Sequence, residues 1–324
     1  MRILVVGGAG YIGSQMVKLL AGSGHQVVTL DNMSTGYADA VLYGTLVKGD
    51  MADAAQLDQL LGEKRFDAVM HFAAFSLVGE SMEDPAKYYR NNISNTLNLL
   101  DAMVRHGVLN FIFSSTAATF GEPDYSPIDE LHPQRPINPY GHSKLMVEKI
   151  LEDYDRAYGL KSTCLRYFNA AGADPEAELG ERHQPETHLI PLVLQAASGR
   201  RDAITVFGND YDTPDGTCIR DYIHIADLCD AHLLALEAMI AKGESARYNL
   251  GNGNGFSVKA VIDTASEVTG RVIPVKQGDR RPGDPARLVA DATLAKAELA
   301  WNPVYDQLKT IIQHAWAWEL KHFG

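Results

Sequence analysis

The chain has 324 residues, 46% hydrophobic and 22% charged, which is enough apolar sequence for a sizeable core and too little polar bias for disorder. Its net charge of −12 comes without a concentrated basic face, which excludes nucleic acid and anionic membrane surfaces as partners, and no stretch approaches the ~18 apolar residues of a membrane span. Three cysteines, Cys164, Cys218 and Cys229, form no CxxC pair and fit free thiols; with an N-terminal apolar run too short for a signal peptide, they lead us to expect a cytoplasmic protein.

The first thirty residues read as strand, turn, helix and strand: "RILVV", then "GGAGYIGS", then "QMVKLLAGSGH", then "QVVTL" ending in Asp31 and Asn32. Gly7, Gly10 and Gly13 have a GxxGxxG spacing, which lets backbone N–H groups and a helix N-terminus approach a pyrophosphate. Asp31 follows Gly13 by 18 residues, where a carboxylate accepts both ribose hydroxyls and repels a 2′-phosphate. The expected cofactor is NAD rather than NADP.

Further strands are expected at "GTLVKGD", "FDAVMHFAA", "LNFIFSS" and "LKSTCLRYF", separated by helices such as "AAQLDQLLGEK" and "AKYYRNNISNTLNLLDAMVRHG". Repeated βα units predict an α/β fold with a doubly wound parallel sheet of Rossmann type, which gathers its ligands at the carboxyl ends of the strands. Candidate cofactor contacts are therefore Tyr11 and Ile12 in the turn, Asn32, Asp50 and Met51, Phe72, Ala73 and Ala74, Asn91, and Ser114. After about residue 170 the elements shorten and the loops become rich in Gly, Asp and Pro. We expect residues 1–170 to form the dinucleotide-binding domain and 171–324 a smaller, irregular substrate lobe, intertwined with the first because "ARYNLG" can rejoin the main sheet.

The stretch "INPYGHSKLMVEKI" places Tyr140 and Lys144 one helical turn apart just after Pro139, while the strand before it ends at Ser114, Ser115 and Thr116. Hydroxyl, phenol and ammonium can converge. This arrangement resembles the extended short-chain dehydrogenase/reductase superfamily, whose Ser or Thr, Tyr and Lys do redox chemistry beside NAD, and the resemblance covers almost the entire chain. A free tyrosine has a pKa near ~10, so its use as a base at neutral pH needs about 4 kcal/mol of stabilisation. One positive charge at ~4 Å and an effective dielectric of ~20 supplies about that much, and Lys144 is expected to lower the Tyr140 pKa in this way. The resemblance also implies that Lys144 binds the nicotinamide ribose.

Within that superfamily, "GGAGYIGS", "DNMSTG", "HFAA" followed by "VGES", "FIFSSTAATFGEP", "NPYGHSKLMVE", "LRYFNAAGA", "VFGNDYDTPDGTCIRDYIHI" and "RRPGDPA" resemble the UDP-galactose 4-epimerase family. The resemblance implies a catalytic set of Thr116, Tyr140 and Lys144, and reversible inversion at C4 of a UDP-hexose through a 4-keto intermediate. Related 4,6-dehydratases carry an Asp-Glu pair immediately after the catalytic hydroxyl; Ala117 and Ala118 stand there in this chain, which disfavours dehydration. For the substrate the resemblance points to Phe168, beside cofactor and substrate alike, to Asn169, to the Arg220 and Arg281 forks for the diphosphate, and to Asp284, Phe207, His188 and Leu189. Arg220 and Arg281 can also be structural or surface residues, and Phe207 a core residue. Ser76 stands where some relatives have a lysine near the cofactor.

Leu288 matches a position that borders the family's sugar pocket, where size limits entry of N-acetylated sugars; its alternative role is core packing. The eleven histidines show no HExxH or His/Cys spacing, so no metal is predicted, and His71 and His224 read as core or supporting residues. The family also implies a homodimer through helices near 86–106 and 139–157, with Leu97, Leu100 and Met103 serving either that interface or the sheet. Two alternatives stay open: a 4-epimerase of another UDP-sugar (UDP-glucuronate, UDP-pentose or UDP-N-acetylhexosamine), and a non-catalytic NAD-binding sensor, which would have no use for a tuned phenolate.

Overall fold

A computed structural model describes residues 1–281 and 284–324. In its first half β1 (Arg2–Val6), α1 (Tyr11–Gly22), β2 (Gln26–Asp31), β3 (Thr45–Lys48), α2 (Ala54–Glu63) and β4 (Ala68–His71) are followed by α3 (Val78–Glu83), α4 (Pro85–Tyr89), α5 (Asn95–Arg105), β5 (Asn110–Thr116), α6 (Pro139–Tyr158) and β6 (Lys161–Tyr167). The second half contributes β7 (Asn169–Ala171), α7 (Leu189–Ser198), β8 (Ile204–Phe207), β9 (Ile219–Arg220), β10 (Tyr222–His224), α8 (Ile225–Lys242) and β11 (Ala246–Leu250). It ends with β12 (Phe256–Ser257), α9 (Val258–Thr269), β13 (Val275–Gly278), β14 (Arg287–Leu288), α10 (Thr293–Leu299) and α11 (Leu308–Phe323).

Seven strands form one all-parallel sheet in the order β3-β2-β1-β4-β5-β6-β11. The central strands are continuous apolar runs because both sheet faces are covered. On one face α1, α8 and α10 enclose a core that includes Ile3, Val5, Met16, Leu228 and Leu236. On the other, α2, α5 and α6 cover Leu4, Val6, Leu57, Leu99, Phe111 and Val147. The chain reverses its direction of travel across the sheet between β1 and β4, which opens a crevice at their carboxyl ends. "ARYNLG" does rejoin the sheet, as β11 beside β6. A separate core under α7, α9 and α11 supports the smaller β-pairs of the second half.

Two helices differ from the simple periodic reading in ways that matter for the site. The single helix expected over 86–106 contains a π-helical turn at Arg90–Ser94 between α4 and α5. The wider turn lets Asn92 hold the loop after β4: its Oδ1 accepts from the Phe75 N–H at 3.0 Å, and its Nδ2 donates to the Phe75 carbonyl at 3.0 Å and to Ser143 Oγ at 3.1 Å. On α5, Leu100 and Met103 are wholly buried within the chain, so they pack on the sheet and do not serve a partner. α6 starts where expected, with Asn138 Oδ1 accepting from the Gly141 N–H at 2.8 Å and Pro139 in the first turn.

Candidate active site

The glycine turn is built for a close backbone approach. A Cβ on Gly7, whose φ is +82°, would stand 2.5 Å from the Ala73 nitrogen, and one on Gly13 would stand 2.1 Å from the Gly7 carbonyl oxygen. The α1 N-terminus has neither an acidic residue in its first turn nor a side-chain cap, so its N–H groups stay directed at the crevice. Asp31 is positioned by two backbone donors, Ala9 N–H to Oδ2 and Met33 N–H to Oδ1, each 2.9 Å. Asn32 Nδ2 donates to Asp50 Oδ2 at 2.8 Å, which joins the ends of β2 and β3.

Gly7, Gly10, Asp31, Asn32, Asp50, Met51, Phe72, Ala73, Ala74 and Asn91 all line the resulting cleft. These features fit a dinucleotide. Ser34 and Thr35 line it too; they lie in "DNMSTG", where the position just beyond Asn32 was the available signal. Tyr11 and Ile12 form the first turn of α1, next to Gly10, and their side chains are tied to the fold. The Tyr11 hydroxyl donates to the Gly172 carbonyl at 2.7 Å, tying α1 to the segment after β7, and Ile12 packs on the core beneath. Ser76 is exposed. Among the histidines, His71 is buried with Nε2 3.4 Å from Thr96 Oγ1, and His224 caps α8 through the Ala226 N–H while contacting His314, so both have supporting roles.

Thr116, Tyr140 and Lys144 do come together at the end of β5. Thr116 Oγ1 accepts from the Ala118 N–H at 3.1 Å and stands beside the Tyr140 phenol. Lys144 is buried, and its ammonium does not take the phenol as partner: Nζ donates to the Ser114 carbonyl at 2.8 Å and lies 4.8 Å from the centre of the Phe113 ring. Burial pushes the Tyr140 phenol above its ordinary value, and the nearby Thr116 hydroxyl opposes that shift. Burial also lowers Lys144 to about 7, against the opposing charge of Glu148. The lowered phenol expected from Lys144 therefore does not arise in the chain alone, because desolvation is the dominant influence on both groups.

The substrate candidates form a second group. Phe168 and Leu288 pack on a cluster of Ala117, Phe120 and Ile128, directly beyond Thr116. In the small sheet β12-β9-β14, Arg220 stands opposite both Phe256 and Leu288. Its guanidinium pairs with Asp284, whose N–H donates to the Arg281 carbonyl at 3.2 Å; Arg281 lies 3.9 Å over the Phe207 ring. Arg220, Arg281, Asp284 and Phe207 thus share one mouth. Pro282 and Gly283 of the same motif lie outside the described residues. The Asn169 N–H and its Nδ2 both donate to the Asp221 carbonyl at 3.0 Å.

His188, just before α7 and Leu189, directs Nδ1 to Glu181 at 2.7 Å and to Glu186 at 3.1 Å. The charge on Glu181 raises its pKa well above the ordinary value. Burial raises Glu181, but His188 and His183 outweigh this and hold it at about 2. No sequence motif announced this cluster, or Arg182, which pairs with Asp39 and lies 3.9 Å over the Tyr37 ring beside the glycine turn.

Comparisons with known proteins agree with this geometry. A family model described as the NAD dependent epimerase/dehydratase family matches residues 3–251. The chain is similar to the UDP-glucose 4-epimerase of Halalkalibacterium halodurans, at 52% identity over 99% of this chain and 96% of that one. Among solved structures it is similar to UDP-glucose 4-epimerase from Brucella ovis in complex with NAD (TM-score 0.96, 52% identity, covering 98% of this chain and 97% of that one). It is also similar to the Bifidobacterium longum enzyme in complex with NAD+ and UDP (TM-score 0.93, 37% identity, 99% of both chains). With a family model matching residues 3–251 and a relative 52% identical over almost its whole length, on a doubly wound sheet with a glycine turn, the chain belongs to the NAD-dependent epimerase/dehydratase family.

Proposed function

We propose that this protein is an NAD-dependent UDP-glucose 4-epimerase that interconverts UDP-galactose and UDP-glucose. The observation that carries the reading is the gathering of Thr116, Tyr140 and Lys144 about the carboxyl end of β5, with Lys144 anchored on the Ser114 carbonyl, next to the strand ends of β1, β2 and β4 that line the dinucleotide cleft. NAD, when bound, supplies the hydride acceptor and then the donor at C4, so no second oxidant is consumed. Tyr140 Oη, in its phenolate form, takes the proton of the sugar 4-hydroxyl and returns it to the C4 oxygen of the turned sugar, while Thr116 Oγ1 orients that hydroxyl. Lys144, fixed by the Ser114 carbonyl, supplies positive charge near Tyr140 in its protonated form and is assigned to the nicotinamide ribose. Arg220 and Arg281 bind the diphosphate with planar, permanently charged forks, and this anchoring retains the keto sugar while it turns. Ala117 and Ala118 leave no carboxyl group beside Thr116 to eliminate water.

The test is an assay with UDP-galactose and no added nucleotide, coupled to detection of UDP-glucose, together with release of bound NAD by denaturation. Turnover without added NAD and near-stoichiometric released NAD are expected. Empty protein that consumes external NAD or NADP once per turnover would make it a dehydrogenase instead.

Two finer points belong to the same proposal. Among the described residues no helix is long and apolar enough to cross a membrane, and all three cysteines are buried free thiols, which supports a cytoplasmic setting. A homodimer through the outer faces of α5 and α6 is supported by exposed Met146 and Tyr158 rather than by Leu100 and Met103, and sedimentation as a monomer at micromolar concentration would refute it.

Leu288 sets the sugar range in this reading. It is half-buried beside Phe168, close to Thr116, so a smaller side chain there opens space next to the reacting sugar. Leu288→Ser should raise kcat/KM for UDP-N-acetylglucosamine relative to UDP-glucose by roughly 10–200-fold, the range of pocket contacts of this size. An unchanged ratio in a folded variant would assign Leu288 to the core alone.

A further inference from the structure

Among the described residues, two groups bring three or more ligand-type side chains within 4.8 Å of one another. In the first, Asp174, Glu176 and Glu178 already surround Lys18 Nζ at 2.9, 2.8 and 2.9 Å, so the protein supplies its own cation. The second is Glu181, His183, Glu186 and His188, and among the described residues no lysine or arginine pairs with either of its carboxylates. Both carboxylate side chains are only 5% exposed. Without an ion these desolvated carboxylates are balanced by protonated imidazole; a divalent cation displaces those protons and takes over the compensating charge, with the imidazoles as ligands.

The geometry identifies the kind of charge. Glu181 Oε1 lies 3.0 Å from His183 Nδ1 and 2.7 Å from His188 Nδ1; Glu186 lies 3.1 Å from His188 Nδ1 through Oε1 and 3.9 Å from His183 Nδ1 through Oε2. A tetrahedral ion with bonds of about 2.0–2.2 Å places its donor atoms about 3.4 Å apart. The 2.7–3.9 Å separations found here bracket that value, and two imidazoles with two carboxylates are a donor set that zinc accepts. We propose that Glu181, His183, Glu186 and His188 form a structural site for a zinc-class divalent cation.

Its place in the fold gives it a role. The same segment sends Arg182 to Asp39 and over Tyr37, sets the His183 ring edge-on to Tyr11 at 6.3 Å, and receives the Trp318 Nε1–H at the Glu181 carbonyl, 3.1 Å away. An ion here fastens a strap that connects the glycine turn with α11. The inference concerns the strap and does not depend on the reaction.

The experiment uses the full chain with its bound NAD, dialysed against a chelator, desalted, and given zinc sulfate alone. After a second desalting, metal analysis should find about one zinc per chain, and the thermal midpoint should rise by several degrees over the chelated protein. His183→Ala and the near-isosteric Glu186→Gln should each lose at least about tenfold in zinc affinity. Cobalt substituted into the wild type should give the strong visible bands of a tetrahedral ion. Wild-type protein that retains no zinc overturns the proposal. So does a folded Glu186→Gln variant with undiminished affinity, or an octahedral cobalt spectrum, which requires no variant to fold.

Discussion

Tyr140→Phe is expected to lower turnover by about 10²–10⁴-fold while the protein keeps its bound NAD and its affinity for UDP. The substitution removes one oxygen from a half-buried ring whose packing phenylalanine reproduces. Its neighbours keep their other contacts: Thr116 Oγ1 still accepts from the Ala118 N–H at 3.1 Å, and Lys144 still donates to the Ser114 carbonyl at 2.8 Å. What is lost is the group proposed to take and return the proton of the 4-hydroxyl. Steady-state turnover, nucleotide released on denaturation and UDP titration together separate loss of chemistry from loss of binding. A variant with near-normal turnover would remove Tyr140 from the reaction, and one that loses NAD would make its role structural.

The nucleotide half of this site was legible in the sequence because its requirements are local. A strand buried on both faces must be a continuous apolar run, and a backbone that must approach a phosphate closely needs glycine where a Cβ would strike Ala73 or Gly7. Pro139 and Asn138 likewise announce the helix that presents Tyr140. Other features depend on contacts distant in sequence. The π turn at Arg90–Ser94 exists so that Asn92 can reach the Phe75 backbone and Ser143, and nothing in "RNNIS" alone requires it. Leu100 and Met103 lie on an apolar stripe that would look the same whether it faced a sheet or a partner. The position of the Lys144 ammonium depended on which of Ser114 and Tyr140 its chain could reach, a choice that i,i+4 spacing does not make. The strands of two or three residues that position Arg220 and Leu288 are too short to show any period.

The largest expected loss of stability comes from Glu148→Ala. Glu148 lies one turn beyond Lys144 on α6, and its side chain and that of its partner Arg166 are 1% and 3% exposed. Arg166 donates through Nε to Oε1 at 3.0 Å and through Nη2 to Oε2 at 2.6 Å; Ser115 Oγ adds a bond of 2.5 Å and Gln134 Nε2 one of 3.1 Å. Burial pushes the Glu148 carboxyl up, but the Arg166 guanidinium outweighs it and holds the group below its ordinary 4.5. A carboxyl lowered on folding contributes stability that is complete above about pH 4.5 and is lost as the pH falls through the folded value. The pair as a whole need not be worth much, since desolvation offsets attraction, but alanine leaves a buried guanidinium unpaired, which costs about 3–5 kcal/mol. Chemical denaturation at pH 7 should show that loss. It should shrink strongly in the double variant Glu148→Met/Arg166→Met, where neither charge remains. The loosened Ser115 adjoins Thr116, so the single variant should also lose activity on warming well before the wild type does. Equal destabilisation in the single and double variants would mean that packing at these positions, and not the unpaired charge, sets the cost.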